Sequence, residues 1–497
     1  MCAPTVHITS EFNPNSPNAL TGFDPMVFTH TARPHVLPSL ADVKEIPYWL
    51  DDIDAPDDKA RVVGKIMADY MIIGAGFTGL WAAIDAKTTH PELDVVIIEG
   101  ESVAHGASGK NGGFVAASLT HGFANGLERW PDDIARLTKL GQENLDAIEA
   151  FIREHNIDCD FMRVGEMDVA TEDYQIDSLR EYIDVAAPYG EELQWLDQSQ
   201  TQSRLNSPTY KGALLDADSV GICDPARLAW GLRDVALAMG VRLFEHSKVE
   251  WIEEDGDTVV AHCPLGQVIS PKVLLATNAY PPLLRRLKYL IVPVYDSVLV
   301  TEPLSQAQRS DIGWSGNEGI SDSGNQFHYY RPTVDGRILW GGFDATYHYR
   351  SGFGPEYEHS EKSWPKLADH FFTTFPQLEG LKFEYAWSGA IDTCTRFSAF
   401  WGTAFSGKGV YVAGYTGLGV GASRFGAQVA NDKVLGRDTD RLTLEMVNTT
   451  PKPFPPEPFR AAGINFTRWS LNRADQNKGK RNLWLRTLDR IGMGFDS

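Results

Sequence analysis

Ala68-Asp69-Tyr70-Met71-Ile72-Ile73-Gly74-Ala75-Gly76-Phe77-Thr78-Gly79 is the stretch whose reading decides the fold. An apolar run of β type enters G-x-G-x-x-G, and Leu80-Trp81-Ala82-Ala83-Ile84-Asp85-Ala86 continues it as a helix. Gly74 permits the tight turn, Gly76 lets the backbone approach a pyrophosphate, and Gly79 lets helix and strand pack closely. The helix N-terminus offers unpaired N–H groups and the positive end of the helix dipole to phosphate. A second strand, Asp94-Val95-Val96-Ile97-Ile98, ends at Glu99, 25 positions after Gly74, where a ribose-hydroxyl acceptor belongs. Strand, glycines, helix, strand and terminal acid together predict a dinucleotide-binding βαβ unit.

Around that unit, 497 residues are too many for one simple core and predict two domains, interleaved or consecutive. The 66 acids against 45 Lys plus Arg give a net charge of −21, which argues against nucleic acid as a partner. Five cysteines (2, 159, 223, 263 and 394) form no CxxC pair and no metal-ligand spacing, so no metal is expected and a reducing cytoplasm fits best. No signal-peptide pattern opens the chain, and no run approaches the roughly 20 apolar residues of a spanning helix.

Residues 1–64 read as a Pro-rich, irregular N-terminal extension. Apolar spacing from Asp132 to His155 is helical, and Pro225 to Met239 is a second helix that Asp224 opens as a cap. Strands follow at 241–244, 249–252 and 258–261. Lys272-Val273-Leu274-Leu275-Ala276-Thr277-Asn278-Ala279 reads as a buried strand running into a polar turn. From about 286 to 385 long β patterns dominate, with an Asp335-Gly336 hairpin. Gly409 to Tyr415 is again a strand into a turn, Thr416-Gly417-Leu418-Gly419-Val420-Gly421, before a helix from about 422 to 435. These returns predict an α/β fold: a Rossmann-type domain built from 65–125, 215–285 and 386–440, and an antiparallel-sheet substrate domain from 126–214 and 286–385. Residues 441–497 make a C-terminal extension, Pro-rich at first and then basic and Trp-bearing.

With these motifs in this order, the chain resembles the D-amino-acid-oxidase-like superfamily of FAD oxidoreductases, which includes glycine oxidase and sarcosine oxidase. It looks closest to the γ-glutamylputrescine oxidase branch. Four segments carry the likeness: Gly74/Gly76/Gly79 with Glu99; Gly106-Ala107-Ser108-Gly109-Lys110-Asn111-Gly112-Gly113; Leu275 to Ala279; and Gly414 to Gly421. The resemblance implies a glutathione-reductase-2-like flavoprotein fold with FAD as cofactor, held without a covalent bond. His105 precedes the loop, and Cys394 reads as a buried small side chain. Implied FAD contacts are the first motif with Phe77 and Thr78; the loop residues Gly106, Ala107, Ser108, Lys110, Asn111, Gly112 and Gly113; the Val249 backbone at the adenine; Thr277 and Asn278; and Gly414, Gly417, Leu418 and Gly419 at the ring.

The implied reaction is hydride removal from a carbon bearing an amine to flavin N5, hydrolysis of the imine, and reoxidation by oxygen with release of hydrogen peroxide. A dehydrogenase passing electrons to a quinone or carrier protein is the alternative, and a flavin-bearing structural or assembly protein a third. Such a site needs a neutral amine held over the ring behind an apolar wall. Trp387, Tyr415, Tyr329, Tyr330 and Trp340 are wall candidates, with His328, His348 and its flanking Tyr347 and Tyr349 as polar contacts. Where many relatives carry an Arg that grips a substrate carboxylate, this chain has Ile391 and Asp392. Asp392 therefore predicts a cationic or neutral amine, unless it caps a turn or pairs with Arg396. Arg331 and Arg396 are the alternative carboxylate clamp. The strand 337–342 lacks the lysine that sarcosine-oxidase relatives place over the flavin. Nothing in the sequence specifies an oligomeric state.

Overall fold

The computed structural model describes residues 26–494 apart from 52 and 54; Cys2 and most of the predicted N-terminal extension lie outside that range. The Tyr70–Ile73 strand is entirely buried and sits near the centre of a six-stranded sheet. Five strands run parallel in the order 242–244, 95–98, 70–73, 273–275 and 409–413, and the 400–404 strand closes the edge antiparallel. Continuous apolar runs such as Tyr70-Met71-Ile72-Ile73 and Val95-Val96-Ile97-Ile98 are what a sheet covered on both faces requires. The helices Phe77–Thr89, Gly419–Leu435 and Pro225–Ala238 pack together on one face. The opposite face buries Met71, Ile73, Val96 and Ile98 against Val259, Ala261 and Val268 of a four-stranded sheet.

A nine-stranded sheet builds the second body. Its pairings are antiparallel except between Gly319–Asp322 and Glu166–Ala170, so the expected antiparallel sheet carries one parallel step. The expected boundary at 386 falls inside the Phe383–Thr393 strand. That strand pairs along Val292–Thr301 and carries the chain from one sheet toward the other. Tyr330, Trp340, Phe371 and Phe375 pack in this body's own core. The N-terminal segment is not wholly irregular: it includes a 3-10 turn at Pro34–Leu40 and a helical turn at Tyr48–Asp51, and a strand at Gly64–Met67 follows it. Among the described residues no helix is long and apolar enough to cross a membrane.

Candidate active site

Gly74 and Gly79 are demanded by contact, and Gly74 by φ as well. Gly74 has φ +106°, and a Cβ there would lie 2.4 Å from the Ala276 oxygen; at Gly79 it would lie 1.9 Å from the Gly74 oxygen. At Gly76 it would meet nothing but Ser108 Oγ, at 3.0 Å, so that side of the turn stays open. The Phe77 N–H donates to Ser108 Oγ (3.1 Å), which ties the second predicted motif to the helix N-terminus beside Thr78. Glu99 accepts from Ala75 N (2.7 Å) and Glu101 N (3.0 Å), and burial raises its pKa. Its carboxylate keeps lone pairs for a ribose hydroxyl.

The 106–113 loop, with Gly106 and Ala107 at its entry, is pinned from behind through its carbonyls. Trp49 Nε1 donates to Asn111 O (2.8 Å), Trp387 Nε1 to Lys110 O (2.9 Å) and Arg331 Nε to Gly112 O (2.7 Å). Asn111 turns inward on the loop itself: its amide donates to Ala107 and Ser108 oxygens and its Oδ1 accepts from Gly113 N. Asn111 thus shapes the loop through its side chain. Gly112 and Gly113 leave no room for side chains, since Cβ atoms there would lie 2.7 Å from the Tyr329 ring and 2.3 Å from the Cys223 oxygen. Lys110 Nζ contacts both Glu358 oxygens (2.6 and 2.7 Å) at 11% side-chain exposure.

Thr277 and Asn278 turn beside Gly74, because Ala276 N donates to Ile73 O. Asn278 takes φ +46° there, and its Oδ1 accepts from Ala279 N. Val249 is buried in the loop after the Arg242–Phe244 strand, near the end of the strand that carries Glu99. The last motif enters the helix Gly419–Leu435 through Leu418, and no side chain caps that helix. Gly417 has φ +96° with open space around it. At Gly414 (φ +85°) a Cβ would press on Phe400 and Cys394 Sγ.

Four chain segments therefore surround one cradle: open glycine turns, an uncapped helix N-terminus and a terminal acid. A pyrophosphate, a ribose and a flat ring fit that set of donors and gaps, as FAD would present them.

Several expected substrate contacts have protein partners of their own. Asp392 is buried and accepts from Gly414 N (2.6 Å) and from the Tyr415 and Thr416 N–H groups, so it organises the last turn, the capping alternative to a substrate contact. Burial pushes its pKa up to about 6 against those donors. Arg331 is buried with its guanidinium on the Gly112 and Cys223 oxygens and its face over Trp49, which leaves no fork for a carboxylate. Arg396 likewise serves the Ala399, Met446 and Thr449 oxygens. Tyr415 OH accepts from Thr78 Oγ1 (2.9 Å) between two helices, and Trp387 braces the loop from behind. His328 is fully buried between Asp322 and His370, while Tyr330 and Trp340 belong to the second core. His348 packs on Tyr357 (4.4 Å between centroids) and Tyr295 (5.2 Å), Tyr347 OH donates to Glu457, and Tyr349 is exposed. Cys394 is a buried thiol bonded to carbonyls, and its pKa is raised by burial.

Of the wall candidates, Tyr329 faces the loop: its ring crosses Gly112 and Gly341, where Cβ atoms would approach to 2.7 and 2.6 Å. Its OH donates to Asp296 Oδ2 (2.6 Å), an acid the sequence reading passed over. Asp296 lies opposite Gly389, and a Cβ on Gly389 would lie 3.2 Å from Lys110 O. Burial pushes the Asp296 pKa up to about 6 despite donors from Tyr329 and Ser297 N. Glu358, the Lys110 partner, was passed over too. Both sit on unremarkable stretches: strand register brings Asp296 to the loop, and Glu358 reaches it from the turn whose carbonyl accepts from Ser388 N.

The family model described as DAO, FAD dependent oxidoreductase, matches residues 69–432. The chain is 32% identical over 417 residues to γ-glutamylputrescine oxidoreductase of Escherichia coli, covering 81% of this chain and 92% of that protein. It is 30% identical over 392 residues to a probable oxidoreductase, OrdL, of Haemophilus influenzae, covering 76% and 85%. The crystal structure of glycine oxidase from Geobacillus kaustophilus superposes with a TM-score of 0.65 at 20% identity, over 77% of this chain and 99% of that one, and so shares the fold.

Proposed function

This chain belongs to the DAO family of FAD-dependent oxidoreductases, and we propose that it oxidises the carbon–nitrogen bond of an amine held between the cofactor and the Asp296–Tyr329 pair. FAD held by the 74–79, 106–113 and 414–421 turns would supply the hydride acceptor and would return its electrons to oxygen as hydrogen peroxide. The observation that carries the reading is the placement of Asp296: a carboxylate joined to a tyrosine whose ring lies across Gly112 of the cofactor loop.

Hydride departs from a free amine and not from an ammonium, so a nearby acceptor for the nitrogen proton lowers the barrier. Asp296 is that acceptor, and Tyr329 orients it. The amine loses a hydride from carbon and a proton from nitrogen, and water hydrolyses the resulting imine. Both candidate arginine forks are tied to backbone carbonyls, which favours an amine without a carboxylate on the reacting carbon.

The test is anaerobic mixing of the yellow holoenzyme with γ-glutamylputrescine, putrescine, butylamine, sarcosine and glycine. Bleaching by an amine, with peroxide on admitting air, is the expected result. Bleaching without reoxidation transfers the electrons to a carrier instead. No bleaching across the panel overturns the reading. Asp296→Asn keeps FAD but weakens the apparent affinity for the active amine at least tenfold, or about 1.4 kcal/mol.

A further inference from the structure

Residues 459–494 lie beyond the family match and form a helical hairpin, Phe459–Gln476 and Leu483–Arg490. Its inner side is anchored. Asp475 accepts from Asn325 N (3.1 Å) and Nδ2 (2.6 Å), Arg129 donates to Gly492 O (2.7 Å), and Leu471, Ala474 and Leu485 form a small core.

The outer side exposes aromatic rings. Phe459, Phe466 and Trp469 are 69, 45 and 54% exposed, and their spacing of seven and three puts them on one helix face. Phe466 and Trp469 stack in the open at 5.4 Å and 14°, and Phe466 continues onto Trp484 of the second helix. Leu483, 78% exposed, shares its face with Arg486 and Arg490. Between 459 and 494 eight Lys and Arg stand against two acids, in a chain whose net charge is −21. Arg460 is buried, so the other seven concentrate positive charge on the hairpin of an acidic molecule.

We propose that this hairpin is a peripheral docking surface for an anionic lipid bilayer. Exposed Trp and Phe with Lys and Arg beside them are what an interfacial helix presents: rings enter the acyl boundary while cations meet lipid phosphates. A bilayer takes both halves of the surface at once and needs no shape match. The acidic body is repelled by the same membrane, so the molecule is oriented with the hairpin down.

The experiment is cosedimentation of the FAD-loaded, full-length protein with phosphatidylcholine vesicles and with vesicles containing about one-third phosphatidylglycerol. Binding to the anionic vesicles alone, reduced at least tenfold by the exposed charge reversal Arg486→Glu/Arg490→Glu and likewise by Phe466→Ser/Trp469→Ser, is the expected result. Flavin content and melting temperature confirm that both variants fold. No binding to anionic vesicles overturns the proposal, as does binding that both variants retain. Light scattering that shows a dimer lost in Phe466→Ser/Trp469→Ser overturns it too, by assigning the surface to a second copy of the chain.

Discussion

Asp392 shows how one side chain changes role between a linear and a folded reading. Its position beside the strand turn suggested an acid for the substrate amine, yet its carboxylate takes the N–H groups of Gly414, Tyr415 and Thr416. Those donors would otherwise be buried without partners, at about 1–3 kcal/mol for an orphaned group. Asp392→Ala is therefore expected to lower stability by about 1–3 kcal/mol and to weaken FAD retention, with little change in KM of the reloaded enzyme. Denaturant melts and equilibrium dialysis of flavin check it; a KM change of tenfold in a variant with wild-type stability would return Asp392 to the substrate. Asp296, with no motif around it, received no attention from the sequence. Its importance comes from antiparallel register, Asp296 opposite Gly389, which no local pattern encodes.

At the scale of elements, the strand–turn–helix at 70–89 was legible because each glycine answers a local steric demand and the apolar runs are uninterrupted. Gly79→Ala drives a methyl into the Gly74 oxygen at 1.9 Å, so helix and turn must part. An overpacking cost of about 1–3 kcal/mol and loss of bound flavin are expected, read from the absorbance of the purified protein. Retention of a full flavin complement would remove the close-packing argument. The 106–113 loop was legible as a motif, but not the three side chains that pin its carbonyls, Trp49, Trp387 and Arg331, because they come from distant parts of the sequence. The long β patterns between 286 and 385 foretold strands. They did not foretell that Phe383–Thr393 would run the length of Val292–Thr301, because β pattern sets facing but not partner.

For the whole molecule, acid response is set by buried groups near the cradle. His121 touches the Thr416 backbone, and burial lowers its pKa from 6.5 to about 4. The unfolded chain takes up the proton first, so this residue costs nothing above pH 6.5. As the pH falls from 6.5 through about 4 it withdraws at most about 3 kcal/mol of stability. In His121→Gln the melting temperature should fall less steeply between pH 6.5 and 4.5 than in the parent, measured by differential scanning fluorimetry. An unchanged slope would assign acid sensitivity elsewhere.

The strand order 242–244, 95–98, 70–73, 273–275, 409–413 has a consequence for synthesis on the ribosome. The opening βαβ unit is complete at Ile98, but the fifth parallel strand and the helix that follows it end at Leu435. At roughly 5–20 residues per second, the emerging chain carries half a nucleotide cleft for about 20–70 s before its other half exists. For about the first half of that interval the apolar edge at Tyr70–Ile73 lacks its neighbour Val273–Leu275. The apolar sheet is thus exposed in the nascent protein well before the nucleotide cleft can close on a flavin.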